Sequence, residues 1–287
     1  MKIHLDCLSC LVRQTVDGAR RATKDERAHE VVARRALHRL ADMDFANSPP
    51  VMAEVIQDLI REETGEADMY GEDKTRSNEL ALRLAKEQEQ RLRDAEDPFE
   101  VALRLAVAGN IIDFGAHNEI DDALIERTLH EALSAPLDRT EVEQLRRAAR
   151  EAHTILYLAD NAGEIAFDRL FIEQLGPDKV MVAVKSRPIL NDALMADAEA
   201  VGLCDLVKVV ENGTGIPGTV LERTSEEFQR LFESADMVIS KGQGNYETLG
   251  EAPREIFFLL KVKCQMVARQ LDEPIGTLLV RRQTPAT

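Results

Sequence analysis

The pattern of apolar and polar positions changes character near residue 150. Before it, apolar residues recur at helical spacing. Leu8, Leu11, Val12, Val16 and Ala19 form one stripe over residues 8–22, and Val31, Val32, Ala36, Leu37 and Leu40 form another. Ser48-Pro49-Pro50 breaks the pattern and opens a helix with Val51, Val55, Ile56, Leu59 and Ile60. A loop over 64–73 precedes a long helical pattern, about 74 to 92, whose charged end reads as a solvated face. Asp97-Pro98 opens a helix through Leu105 to Ile112, and residues 119–133 and 138–152 predict two more. After residue 150, short apolar runs at 155–159, 180–184, 206–210, 237–239 and 275–280 alternate with helical patterns. The run 256–260 reads either as a strand or as the start of the helix containing Cys264 and Val267. Such alternation predicts a parallel sheet covered by helices. The expected organisation is a helical domain over 1–150 and an α/β domain over 151–287.

In a parallel sheet the strand-to-helix turns gather at one edge, where open α/β folds bind ligands. Four turns then share a rim: Asp160-Asn161-Ala162-Gly163-Glu164, Lys185-Ser186-Arg187-Pro188-Ile189-Leu190-Asn191-Asp192, Glu211-Asn212-Gly213-Thr214-Gly215 and Ser240-Lys241-Gly242-Gln243-Gly244-Asn245. Asp160, Asn161 and Asp192 offer hard oxygen atoms suited to Mg²⁺ or Mn²⁺. Asp160 and Asn161 also suit a helix cap, so either role fits them singly. Lys241 beside Gly242 and Gly244 has the makings of an anion site, or is a solvated lysine at a tight turn. Lys185 and Arg187 are further cations for a phosphate, or surface charges. Gly213-Thr214-Gly215 lacks the rest of a dinucleotide fingerprint, and there is no phosphate-loop motif.

The helical half contributes fewer signals. Asn110 and Asp113 share a helix face in an apolar segment, and Lys74 and Asn78 stand at i and i+4. Each pair either reaches the sheet rim or pairs locally. Cys7-x-x-Cys10, with His4 before it, is either buried small side chains or part of a metal or redox site.

Charge narrows the partners. The chain holds 36 Lys and Arg against 52 Asp and Glu, a formal net charge of −16. Nucleic acid and acidic membranes are excluded as expected partners. An anionic substrate therefore needs a locally positive site. No apolar run approaches the roughly 20 residues that span a bilayer, and no signal-peptide core is visible. With four cysteines and no secretion signal, the expected location is cytoplasmic.

Taken together, Cys7-Leu8-Ser9-Cys10, Ala108-Gly109-Asn110-Ile111-Ile112-Asp113, Asp160-Asn161-Ala162-Gly163-Glu164, Arg187-Pro188-Ile189-Leu190-Asn191-Asp192-Ala193 and Ser240-Lys241-Gly242-Gln243-Gly244-Asn245 resemble the metal-dependent damage-control phosphatases over nearly the whole chain. The paired cysteines resemble the stand-alone branch of archaea and bacteria. The resemblance implies a helical N-terminal part on a three-layer α/β/α domain with a mainly parallel, Rossmann-like sheet. It also implies one divalent metal ion (Mn²⁺, Mg²⁺, Co²⁺ or Ni²⁺) held by Asp160, Asn161 and Asp192. Lys241 would contact the substrate phosphate, and Asn110 and Asp113 would face the same cleft. Ser186 stands where relatives often have glycine, which weakens the case for a phosphate contact at 186–187.

The expected function is hydrolysis of a small phosphorylated metabolite, a sugar phosphate or a damaged cofactor precursor, by metal-activated water. Asp160, Asp192, Lys241 and Glu164 are the expected catalytic groups, with Asp192 or Glu164 taking the proton. Lys241, Gly242, Gly244, Asn245, Arg187, Asn110 and Asp113 are the expected substrate contacts. Position 162 is Ala, so the Asp-x-Asp arrangement of aspartyl-phosphate enzymes is missing. Two rival readings are a carboxyl methyltransferase using S-adenosylmethionine, for which Gly163 alone is thin support, and a phosphometabolite-binding protein without turnover.

Overall fold

The computed structural model describes residues 1–109 and 129–285. Asn110 and Asp113, and most of the helix expected over 119–133, lie outside the described residues. The chain opens with helices α1 (Leu5–Ala22), α2 (Glu26–Ala41), α3 (Pro49–Thr64), α4 (Gly71–Arg93) and α5 (Pro98–Gly109), with α6 (Arg139–Glu151) after them. Their ends follow local chemistry. Pro49 and Pro50 fill the first turn of α3, where no intrahelical N–H is needed. Gly65, at φ 73°, ends that helix in the left-handed region. Asp25 and Asp138 cap α2 and α6 by accepting from Arg27 N and Thr140 N.

Strands β1 (Ile155–Leu158), β2 (Val180–Val184), β3 (Lys208–Glu211), β4 (Met237–Lys241), β5 (Ile256–Lys261) and β6 (Leu278–Gln283) alternate with α7 (Glu164–Leu175), α8 (Met195–Ala200), α9 (Glu226–Ser234), α10 (Gln243–Leu249) and α11 (Gln265–Leu271). They form one sheet in the order β3-β2-β1-β4-β5-β6. The first five strands are parallel, and β6 runs antiparallel to β5. The expected mainly parallel sheet is therefore present. The ambiguous 256–260 run is a strand.

Alternate residues of each strand enter different layers, as the pleat requires. Ile155, Tyr157, Val182, Ile239 and Phe257 join a core with α5, α6 and α7, including the buried Phe167 and Phe171. Leu156, Leu158, Val238 and Phe258 pack instead with Phe228, Tyr246 and Val267 from α9, α10 and α11. Burial on both faces explains why the strands read as continuous apolar runs. Helices α1, α2 and α3 pack around Leu11, Val32, Ile56 and Ile60. Apolar residues of α4, α5 and α6 belong to the same core as the sheet, so the core is continuous across residue 150.

Candidate metal and phosphate site

The turns after β1 and β2 are zipped together. Ala162 N donates to Asn191 O at 2.9 Å, and Ala193 N donates to Asp160 O at 2.8 Å. Asn161 and Asp192 face each other as an isolated antiparallel bridge. Three candidate ligands, two adjacent in sequence and one distant, therefore meet at the carboxyl ends of neighbouring strands. Leu190 adopts φ 45° just before Asn191-Asp192, a left-handed conformation that costs a branched residue roughly 1–2 kcal/mol. The surrounding turn holds this strained backbone in place.

Asn161 is oriented by two carboxylates. Its Nδ2 donates to Asp160 Oδ2 at 2.8 Å and to Glu164 Oε2 at 3.0 Å. Its Oδ1 is left as the atom the amide could offer to a cation. Asp192 is buried, and its Oδ2 has no hydrogen-bond partner. The Lys185 ammonium stands 3.6 Å from that oxygen and donates to Gly218 O. Burial pushes Asp192 up to about 8 against the pull of Lys185, and the same burial lowers Lys185. Burial also raises Asp160 to about 6, with Glu164 adding repulsion and Lys263 opposing it. A buried carboxylate (Asp192), a partly buried one (Asp160) and an amide, with Asp192 Oδ2 lacking a hydrogen bond, form a donor set that fits a small hard cation.

Lys241 is placed differently from a solvent-facing phosphate ligand. Its side chain is fully buried, and its ammonium donates to Glu164 Oε1 at 2.6 Å, Asp168 Oδ1 at 2.5 Å and Ala106 O at 2.9 Å. Those contacts use its three donors. Burial opposes its charge, but Asp168 and Glu164 outweigh that and raise its pKa. Tyr157 donates to the same Asp168 oxygen at 2.8 Å. The sequence carried no signal for Asp168 or Tyr157, because both look like ordinary members of a helix and a strand.

The fourth turn backs directly onto the first. Gly242 adopts φ 78°, and a Cβ there would fall 1.9 Å from Asp160 Oδ2. The side chain of Asn245 is buried and fixes this turn, donating to Lys241 O at 2.8 Å and accepting from Thr219 Oγ1 at 2.8 Å. A Cβ on Gly244 would lie 2.8 Å from Pro217 O. These residues thus shape the turn against its neighbours. A fifth turn joins the rim after β5, where exposed Lys263 gives its amide to Gln243 Oε1 at 2.9 Å.

The helical half reaches this rim from two places. Lys74 and Asn78 of α4 are both buried there; Asn78 Oδ1 accepts from Gly163 N at 2.7 Å. Arg187 pairs with Glu54 and Asp58 of α3. Its stem fills the space a Cβ on Gly215 would need. Cys7 and Cys10 are free thiols on α1; Cys7 packs beside the helical cluster, and its Sγ accepts from His4 N at 3.4 Å. Among the described residues, no group of three or more His, Cys, Asp and Glu side chains is placed to hold a metal. The donor set above depends instead on an asparagine. Among the described residues no helix is long and apolar enough to cross a membrane.

Residues 3–279 match the model of the damage-control phosphatase ARMT1-like domain. The chain is 36% identical to the damage-control phosphatase PH1575 of Pyrococcus horikoshii, over 98% of this chain and 98% of that protein. It is 29% identical to a damage-control phosphatase of Archaeoglobus fulgidus, over 98% of this chain and 99% of that protein. The crystal structure of a DUF89 family protein from Pyrococcus horikoshii superposes with a TM-score of 0.90 at 34% identity, covering 99% of this chain and 100% of that one. The family model covers nearly all of the chain, and a curated relative is 36% identical over 98% of it: this chain belongs to the ARMT1-like damage-control phosphatase family.

Proposed function

We propose that the chain is a divalent-metal-dependent phosphomonoesterase acting on a small phosphorylated metabolite, a sugar phosphate or a damaged cofactor precursor. The observation that carries this reading is the convergence of Asp160, Asn161 and Asp192, with Asp192 Oδ2 buried and without a hydrogen bond. Family membership supplies the reaction class. Asp160, Asn161 and Asp192 would hold one Mn²⁺, Mg²⁺, Co²⁺ or Ni²⁺. Such an ion supplies Lewis-acid polarisation of a phosphoryl oxygen and makes water more acidic.

The chain's own groups do the rest. Glu164 joins the two halves of the site, accepting from Asn161 on one oxygen and from Lys241 on the other. It thereby fixes the amide that presents Asn161 Oδ1. Lys241 anchors Glu164 and adds positive potential from behind the rim. Exposed Lys263, whose charge acts on Asp160, is the better placed cation for direct contact with a phosphate. Gly242 and Gly244 let the fourth turn approach without side chains, and Asn245 locks it. Arg187, held by Glu54 and Asp58, closes the rim between α3 and the third turn. Charge stabilisation on the equatorial phosphoryl oxygens is the step these cations serve.

Phosphate release from a panel of sugar phosphates and phosphorylated cofactor fragments, with Mn²⁺ present, tests the reading. Selective turnover of one class supports it and names the substrate. Substrate binding without release of phosphate from any member contradicts it.

A further inference from the structure

Asn78 makes an unusual set of contacts for a helical asparagine. It lies in the middle of α4, is buried, and hydrogen-bonds no residue of its own helix through its side chain. Its Oδ1 accepts from Gly163 N at 2.7 Å, in the turn that carries Asp160 and Asn161. Its Nδ2 donates to Asp197 Oδ1 at 2.8 Å. The other oxygen of Asp197 accepts from Leu194 N at 2.9 Å, two residues after Asp192. One amide therefore ties both ligand-bearing turns to a single point on α4. Lys74, one turn earlier, stands 3.7 Å from Asp197 and pairs with Asp68 at 2.7 Å, so the anchor is itself charge-balanced.

The geometry points to Asn78 as a positioning residue that sets the spacing between the Asp160-Asn161 turn and the Asp192 turn, and so the affinity of the site for its cation. This rests on the metal reading above. Gly163 sits at φ 77°, a conformation with no side chain to hold it. Without the Asn78 acceptor, its amide is a buried donor with no partner, and the turn is free to relax. The ligands themselves remain; what changes is how well they are presented. Groups that orient metal ligands at one remove are typically worth about 10–100-fold in affinity or activity.

The test measures Mn²⁺ binding by titration calorimetry on the full chain, with amide hydrogen exchange at Gly163 in the metal-free protein. Asn78→Ala is compared with Asn78→Asp, which keeps the acceptor for Gly163 N but opposes Asp197. Leu92→Ala, at the far end of α4, controls for a general loss of stability. The expected result is a Kd for Mn²⁺ raised about 10-fold or more in Asn78→Ala, faster Gly163 exchange, a smaller change in Asn78→Asp, and wild-type affinity in Leu92→Ala. If Asn78→Ala does not fold, the Asn78→Asp and Leu92→Ala pair decides by the same criterion. Unchanged Mn²⁺ affinity in the Asn78 variants, or an equal loss in Leu92→Ala, overturns the inference. Wild-type protein that binds none of Mn²⁺, Mg²⁺, Co²⁺ and Ni²⁺ overturns the metal reading itself, and Gly163 exchange then shows whether the clamp exists without it; if another of these ions binds where Mn²⁺ does not, that ion replaces Mn²⁺ in the comparison.

Discussion

Gly242 packs its backbone against the carboxylate of Asp160, so closely that a Cβ would fall 1.9 Å from Oδ2. The fourth turn of the rim thus defines one wall of the first. Gly242→Ala must push that carboxylate aside or open the turn. Overpacking of this kind costs about 1–3 kcal/mol. Loss of most Mn²⁺ binding is expected alongside a lower melting temperature. Calorimetric titration and a thermal melt check both, and an alanine variant with unchanged affinity is the opposing result.

Lys241 is expected to matter for folding as much as for chemistry. Its ammonium is the cation shared by Glu164 and Asp168, each 1% exposed. Lys241→Met leaves two buried carboxylates without it, and breaking a buried pair from one side costs about 3–5 kcal/mol. The urea midpoint of the metal-free protein should fall accordingly. A midpoint equal to wild type would show that Lys241 is not the stabilising partner.

The two cations at the rim are expected to behave differently. Lys263→Ala should lower kcat/KM by about 10-fold or more, corresponding to roughly 1.4 kcal/mol of lost transition-state stabilisation. Arg187→Ala removes a half-exposed guanidinium from half-exposed Asp58 and from buried Glu54, which keeps Arg223 at 2.7 Å, so it should cost under about 1 kcal/mol of stability and less activity than Lys263→Ala. Steady-state kinetics with one phosphomonoester decides between them. The reverse ranking would move the phosphate contact to Arg187.

Stability of the metal-free protein should fall as pH rises. Burial lifts Asp160 to about 6, Asp168 to about 7 and Asp192 to about 8. Each folded pKa lies above its unfolded value, so the folded state holds more protons through this window. Stability from these groups is full below the unfolded carboxylate range and is lost as pH climbs through the folded values. Melting of EDTA-treated protein from pH 5 to 8 should show the decline. Added Mn²⁺ should stabilise more at pH 8 than at pH 5, because ligands must be deprotonated to bind. A flat profile in EDTA would contradict the burial argument.

Features set by local chemistry are legible in the sequence. Strands that end in Asp, Asn and Gly turns announced the rim, and parallel order followed from alternation with helices. Asp160, Asn161 and Asp192 could be grouped because a parallel sheet brings such turns to one edge. Burial of Lys241 was not legible, since a lysine after a strand reads the same whether it meets water or a buried Glu164-Asp168 pair. Lys263 was hidden because the run before it, Phe257 to Val262, fitted a strand or a helix start. The choice left open at Asn78 needed the distance to Gly163, which no periodicity contains. Cys7 and Cys10 gave a motif without the further ligands that would make it a site.

Under the proposed function, Asp160 and Asp192 hold a divalent ion needed for phosphate release. The most direct measurement is hydrolysis of p-nitrophenyl phosphate by EDTA-stripped protein, re-supplied in turn with Mg²⁺, Mn²⁺, Co²⁺ or Ni²⁺, beside Asp160→Ala and Asp192→Ala. No turnover is expected after stripping, with recovery on adding at least one of these ions and no recovery in either variant. Turnover that survives stripping, or that either alanine variant retains, would contradict it.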